Sequence, residues 1–155
     1  MKNILLLLLV GILAFGCQNA EQAQEEETEE TVSVDDKWAE MMVIHDEVMP
    51  KMGELRKVQT ELEKLIGEES TLDADAQEKV GTVALALEAA RSGMMDWMMP
   101  MKDIMNNLPS MPQEEALKVI QEKTDLISKV SVEMKKSLAD GKALLEEFDT
   151  ENNEQ

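Results

Sequence analysis

Tyrosine is absent from this chain of 155 residues, and the remaining aromatics are two Trp and two Phe. Strands draw on aromatic and β-branched residues in alternation; such alternations are few here, so a sheet-based fold has little to build with. Histidine and cysteine occur once each, as His45 and Cys17. One cysteine excludes an internal disulfide, and one histidine excludes the paired Glu-x-x-His ligand sets of di-iron bundles. No Gly-rich phosphate loop is present, which leaves the nucleotide-dependent classes without support. Basic residues are scarce too: 15 Lys and Arg stand against 33 Asp and Glu, for a formal charge of −18. A nucleic-acid binder must present Lys and Arg to phosphates. With no basic stripe in the sequence, nucleic acid is excluded as a partner.

What the chain does have begins at its N-terminus. Lys2 gives a positive start, Ile4 to Ala14 is an apolar run of 11 residues, and Gly16 precedes the only cysteine. This is the layout of a secretory signal, too short to cross a bilayer core of about 30 Å, which takes about 20 helical residues. Leu13-Ala14-Phe15-Gly16-Cys17 resembles the lipobox of bacterial lipoproteins. The resemblance implies a signal peptide at 1–16 and a lipidated Cys17 that becomes residue one of the mature chain. A lone cysteine in an oxidising compartment otherwise lacks a role, and once lipidated it offers no thiol for nucleophilic catalysis. Each buried lipid CH₂ supplies about 0.8 kcal/mol, and stable anchoring takes more than one chain. Gln18 stands where an Asp would resemble an inner-membrane retention signal, so the expected localisation is the outer membrane. The acids beyond it resemble the surface-export signals of Bacteroidetes-type lipoproteins, which leaves the periplasmic face and the cell surface both open.

From Glu21 to Asp36 there are eight acidic residues and no basic one. Such a segment cannot bury enough apolar surface to offset its chain entropy, so residues 17–36 read as a disordered, lipid-anchored acidic tether. Residues 149–155, also acidic and polar, read as a disordered tail. Between them, over 37–148, apolar residues recur by alternate steps of three and four. The first stripe runs Trp38, Met41, His45, Val48, Met52, Leu55, Gln59, Leu62, Ile66; the second Val80, Val83, Leu87, Ala90, Met94, Trp97, Met101, Ile104, Leu108. The third is Leu117, Ile120, Thr124, Ile127, Ser131, Met134, Leu138, Gly141, Leu145, Phe148. This spacing is the seam of helices packed at shallow angles.

Breaks separate the stripes at Gly67 to Thr71, with Asp73 as N-cap of the second helix, and at Asn106 to Pro112, where Ser110-Met111-Pro112-Gln113 has the form of a capping box. Short linkers make neighbouring helices antiparallel. The fold class is therefore all-α, an antiparallel up-down-up three-helix bundle. Pro50 and Pro100 fall inside the first and second stripes, where a proline frees the carbonyl four residues back, so these helices should be kinked. Gly53, Gly81, Gly93 and Gly141 also lie within stripes, and close helix packing is the expected reason.

Methionine is abundant, with 13 residues concentrated at positions 41–52 and 94–111. With the turn centred near Glu69-Ser70, residue i faces about 139 minus i. His45 then faces Met94, Met41 faces Met98, and the two bursts form one patch. Flexible thioethers fill irregular cores beside Trp and proline kinks, and core packing is the leading reading of this patch. A methionine surface for a partner protein is one alternative. The other is a soft-metal site for Cu(I) or Ag(I), since thioethers and imidazole suit both. Its ligands would be Met41, His45 and Met49, spaced i, i+4, i+8, with Met94 and Met98.

The segment His45-Asp46-Glu47-Val48-Met49-Pro50-Lys51-Met52-Gly53-Glu54, with Met94-Met95-Asp96-Trp97-Met98, resembles a group of small helical Bacteroidetes lipoproteins, some labelled "viral A-type inclusion protein". The likeness covers about Trp38 to Phe148 and implies no activity, cofactor or functional residue. The expected function is a non-enzymatic binding module, attached to the membrane by its lipid and acting on an unidentified ligand or an envelope protein partner. Replacing Cys17 by Ser should move the protein out of the membrane fraction and remove the lipid mass. A variant that stays membrane-bound at unchanged mass would refute the anchor.

Overall fold

The computed structural model describes residues 32–67 and 70–153. Within them Ser33 starts the first helix, α1 (Val34–Val48): its hydroxyl accepts from the Asp36 N–H at 3.0 Å and donates to the Asp36 carboxylate at 2.7 Å. Asp35 and Asp36 then sit in the first turn, where the helix dipole favours negative charge. These two acids start the first helix, as their place just ahead of its apolar stripe indicates, and the composition-based tether of 17–36 overlaps it by these residues. The signal segment, Cys17 and the tether as far as Thr31 lie outside the described residues.

Both interior prolines interrupt their helices. Around Pro50 the chain makes one 3-10 turn, Met49–Lys51, before α2 (Met52–Leu65). After α3 (Ala74–Met98), Pro100 caps a short α4 (Met101–Asn107), its carbonyl accepting from the Asp103 and Ile104 N–H groups at 3.1 and 3.0 Å. The missing proline N–H is the cause at both places. A second 3-10 turn, Leu108–Ser110, leads into α5 (Gln113–Asn153), 41 residues long. Asp73 caps α3 as the sequence indicates, accepting from the Ala76 N–H at 2.8 Å.

Two local expectations are corrected. The capping box before α5 does not form: Ser110 donates back to the Asn107 carbonyl at 2.8 Å, and Gln113 reaches across to the Val32 carbonyl at 3.2 Å. Leu108–Ser110 is already wound as a 3-10 turn, which spends the Ser110 hydroxyl locally. The C-terminal tail also begins later than expected, since residues 149–153 continue α5. No glycine or proline follows Gly141 to stop the helix.

Regular structure among the described residues is entirely helical, and the helices form a bundle. Their directions follow from cross-helix pairs. Lys135 meets Glu47 at 2.6 Å and Lys142 meets Glu54 at 2.5 Å, positions that advance together, so α1 and α2 run with α5. Lys79 meets Glu147 at 2.7 Å and the Trp97 indole N–H meets the Lys123 carbonyl at 2.9 Å, so α3 runs against α5. Hydrogen bonds from Lys135 and Lys142 hold the Glu47 and Glu54 carboxyls below their ordinary value of 4.5. Both pairs are exposed and screened by salt, so they set register more than stability.

The core is continuous from Met41, Leu55 and Leu62 through Val80, Leu87 and Met94 to Ile120, Ile127 and Met134, all fully buried. In places its seam lies one residue off the 3-4 pattern, with Val58, Ala84 and Ala116 buried where Gln59, Val83 and Leu117 are half-exposed. Of the stripe glycines only Gly141 is explained by crowding. A Cβ there would stand 2.6 Å from Val58 Cγ1 and 3.1 Å from Leu87 Cδ1, whereas at Gly53 and Gly81 it would meet nothing within 4 Å.

Those differences fix opposite signs for one substitution. Gly141→Ala should destabilise the fold by about 1–3 kcal/mol, because Val58 and Leu87 are themselves buried and cannot move aside cheaply. Gly53→Ala and Gly81→Ala should each stabilise by about 0.5–1 kcal/mol through helix propensity. Chemical denaturation of the three variants checks both signs.

Candidate functional site

The methionine, histidine and tryptophan residues gather where α1 and α3 approach at the Pro50 and Pro100 breaks. Met41 and Met94 are fully buried in the common core, and Met49 and Met98 pack against its edge, half-buried. His45 stacks on Trp97, with ring centroids 5.4 Å apart and planes inclined by 24°. Its Nδ1 lies 2.8 Å from an Asp46 carboxylate oxygen, leaving Nε2 as the other ring nitrogen. Trp97 is 5% exposed and is tied by its indole N–H to the Lys123 carbonyl of α5. The indole therefore links α1, α3 and α5 at one level.

His45 stacks on Trp97, three residues along α3 from the Met94 that the even count places opposite it. Side chains in a helix lean toward that helix's own N-terminus. On antiparallel neighbours they lean in opposite senses, so the imidazole reaches a residue further from the connecting turn. The 3-10 turn at Met49–Lys51 adds to the shift, since it rises about 0.5 Å more per residue than an α-helix.

This arrangement gives the five ligand candidates unequal surroundings. Two thioethers are enclosed by apolar neighbours, two sit at the core's edge, and the imidazole has one face covered by indole. Among the described residues no group of three or more His, Cys, Asp or Glu side chains is placed to hold a metal ion. Met41 and Met94 are fully buried members of the hydrophobic core, where flexible thioethers can fill irregular space.

A second feature is a groove of about 570 Å³ at the end of the bundle where α1 and α5 begin. Val34, Asp35 and Trp38 of α1 form one wall and Met105 of α4 another. Leu108, Pro109 and Met111, with Gln113 and Ala116 of α5, complete it. Its size falls in the range of about 300–1,000 Å³ usual for ligand sites. Leu108 and Ala116 make a buried floor, while Met105 is 52% exposed on the rim. The sequence places Trp38, Leu108 and Met111 in its stripes and linker, but nothing in their spacing shows that four elements converge. Met99 at 77% and Met95 at 53% exposure stand on the outer surface, away from any packing role.

No helix among the described residues is long and apolar enough to cross a membrane. Compared with known proteins, the chain matches no family model, no curated sequence and no solved structure.

Substitution of Met94 by Leu separates filler from ligand. The swap conserves volume and should retain the fold at a cost below about 1.5 kcal/mol. Ag(I) should leave the melting temperatures of wild type and Met94→Leu unchanged. Silver stabilising the wild type alone would make Met94 a ligand and overturn the packing assignment.

Proposed function

We propose that this is a lipid-anchored protein of the bacterial cell envelope, held on the outer membrane through Cys17, whose helical domain works by binding and not by catalysis. The observation that carries the binding role is the methionine-rimmed groove between α1, α4 and α5. It is concave, has an apolar floor, and includes flexible thioethers that can repack around an apolar partner. Lipid attachment is supported by the apolar run ending at Gly16-Cys17, and an acidic tether ahead of Val32 would hold the domain off the bilayer.

We read the architecture as an up-down-up three-helix bundle in which α1 with α2, α3 with α4, and α5 each count as one rod. The ion pairs of α5 with Glu47 and Glu54, and the opposed numbering of Lys79 with Glu147, support that reading. In it the grooved end is the one at which α1 and α5 start.

A photo-crosslinking residue at position 105, on the groove rim, should give a discrete protein adduct in intact cells. The same residue at position 132, exposed on α5 far from the groove, should give none. Identical background at both positions would refute groove binding. Turnover of an envelope substrate by the purified protein would refute the non-catalytic role.

A further inference from the structure

Some acidic side chains meet lysines: Glu47 with Lys135, Glu54 with Lys142, Glu147 with Lys79, Asp140 with Lys136 and, near the grooved end, Glu40 with Lys37. Three others near that end do not. Asp35 lines the groove, and Glu114 and Glu115 are exposed beside Gln113 in the first turn of α5. None of these three has an ion-pair partner among the described residues, and Lys118, one turn further on, pairs with neither glutamate. No Lys or Arg lines the groove.

Helix dipoles account for only part of this charge. The N-termini of α1 and α5 each present roughly half a positive charge, against two carboxylates apiece, Asp35 with Asp36 and Glu114 with Glu115. Net negative charge therefore stands beside an apolar floor, with Asp35 in the groove wall and Glu114 and Glu115 exposed next to the lining residue Gln113. Its complement is an apolar surface flanked by cations.

We propose that the groove docks a cationic amphipathic peptide segment of a partner protein. The segment's apolar face lies on Trp38, Met105 and Met111, and its Lys or Arg residues lie over Asp35, Glu114 and Glu115. This rests on the binding function proposed above and names the chemistry of the partner. Charge rules against the chain's own preceding segment, which from Glu21 to Glu30 carries acids and no base. It rules equally against a second copy of this chain, at −18, and against anionic lipid. Apolar burial supplies the affinity, while the acids set orientation and speed the encounter.

The test uses the full-length protein in phosphatidylcholine nanodiscs, with empty discs as blank. The probe is a short amphipathic peptide of Lys, Leu and Trp, together with its counterpart in which every Lys is Glu. Calorimetry should show saturable one-to-one binding of the Lys peptide, weakened by added salt, and no binding of the Glu peptide. Met105→Lys, and separately Glu114→Lys with Glu115→Lys, should each weaken it by about tenfold or more, equivalent to about 1.4 kcal/mol. Val132→Lys, exposed on the middle of α5, should leave it unchanged. Circular dichroism confirming retained helix makes each comparison fair. The proposal is overturned if the Glu peptide binds as well, if Val132→Lys and Met105→Lys weaken binding equally, or if no saturable binding occurs. A crosslinked partner at position 105 alongside a failed peptide titration would leave groove binding standing and sink only the cationic occupant.

Discussion

A helix of 41 residues spans roughly 60 Å, and its apolar stripe has no stability in water until something covers it. That constraint organises the molecule. No other helix matches α5 in length, so its stripe is covered in sections, by α1 and α2 on one side and by α3 on the other. Where the cover is tightest the spine carries Gly141, with Val58 and Leu87 pressed onto its backbone. Within a few residues of Pro50 and Pro100 the core is built from long side chains: Met41 and Met94 are fully buried, and Trp97 bonds across to the Lys123 carbonyl.

The groove has the same origin. Pro100 ends α3 and Pro109 winds the chain into a 3-10 turn before α5 starts. The short α4 between them cannot close over the start of α1 as a full helix would. The opening is a by-product of these prolines in one connection, and Asp35 of the first turn of α1 lines it. The ion pairs of α5 lie further along the helix, from Lys129 onward.

Helical class was legible in the sequence because the 3-4 spacing of apolar residues and the lack of strand-forming alternation are local signals. So were the effects of Pro50 and Pro100 and the Asp73 cap, each determined by a residue's own backbone chemistry. Ser33 was not, since it sits in a stretch whose composition reads as tether, and a cap is recognised only once the helix beyond it is known. The Ser110 to Gln113 box failed for the converse reason: both side chains had competing partners, Asn107 and Val32, that sequence spacing does not reveal. The seam drifted by a residue at Val58, Ala84 and Ala116 because helices at 3.6 residues per turn do not hold an even 3-4 alternation. The groove was beyond reach altogether, since it depends on where four elements end relative to one another. The histidine was placed within one turn of its true neighbour, and its error came from the lean of side chains on opposed helices.

With no tyrosine in the chain, its near-ultraviolet signal comes from two indoles, and the fold gives them separate surroundings. Trp97 is enclosed, its N–H bonded to a carbonyl and one face against an imidazole. Trp38 stands in the groove wall, half-exposed. The first reports on the integrity of the core; the second reports on whatever enters the groove. The molecule carries, in effect, two intrinsic optical probes, and a single-tryptophan variant at either position would let one be read without the other.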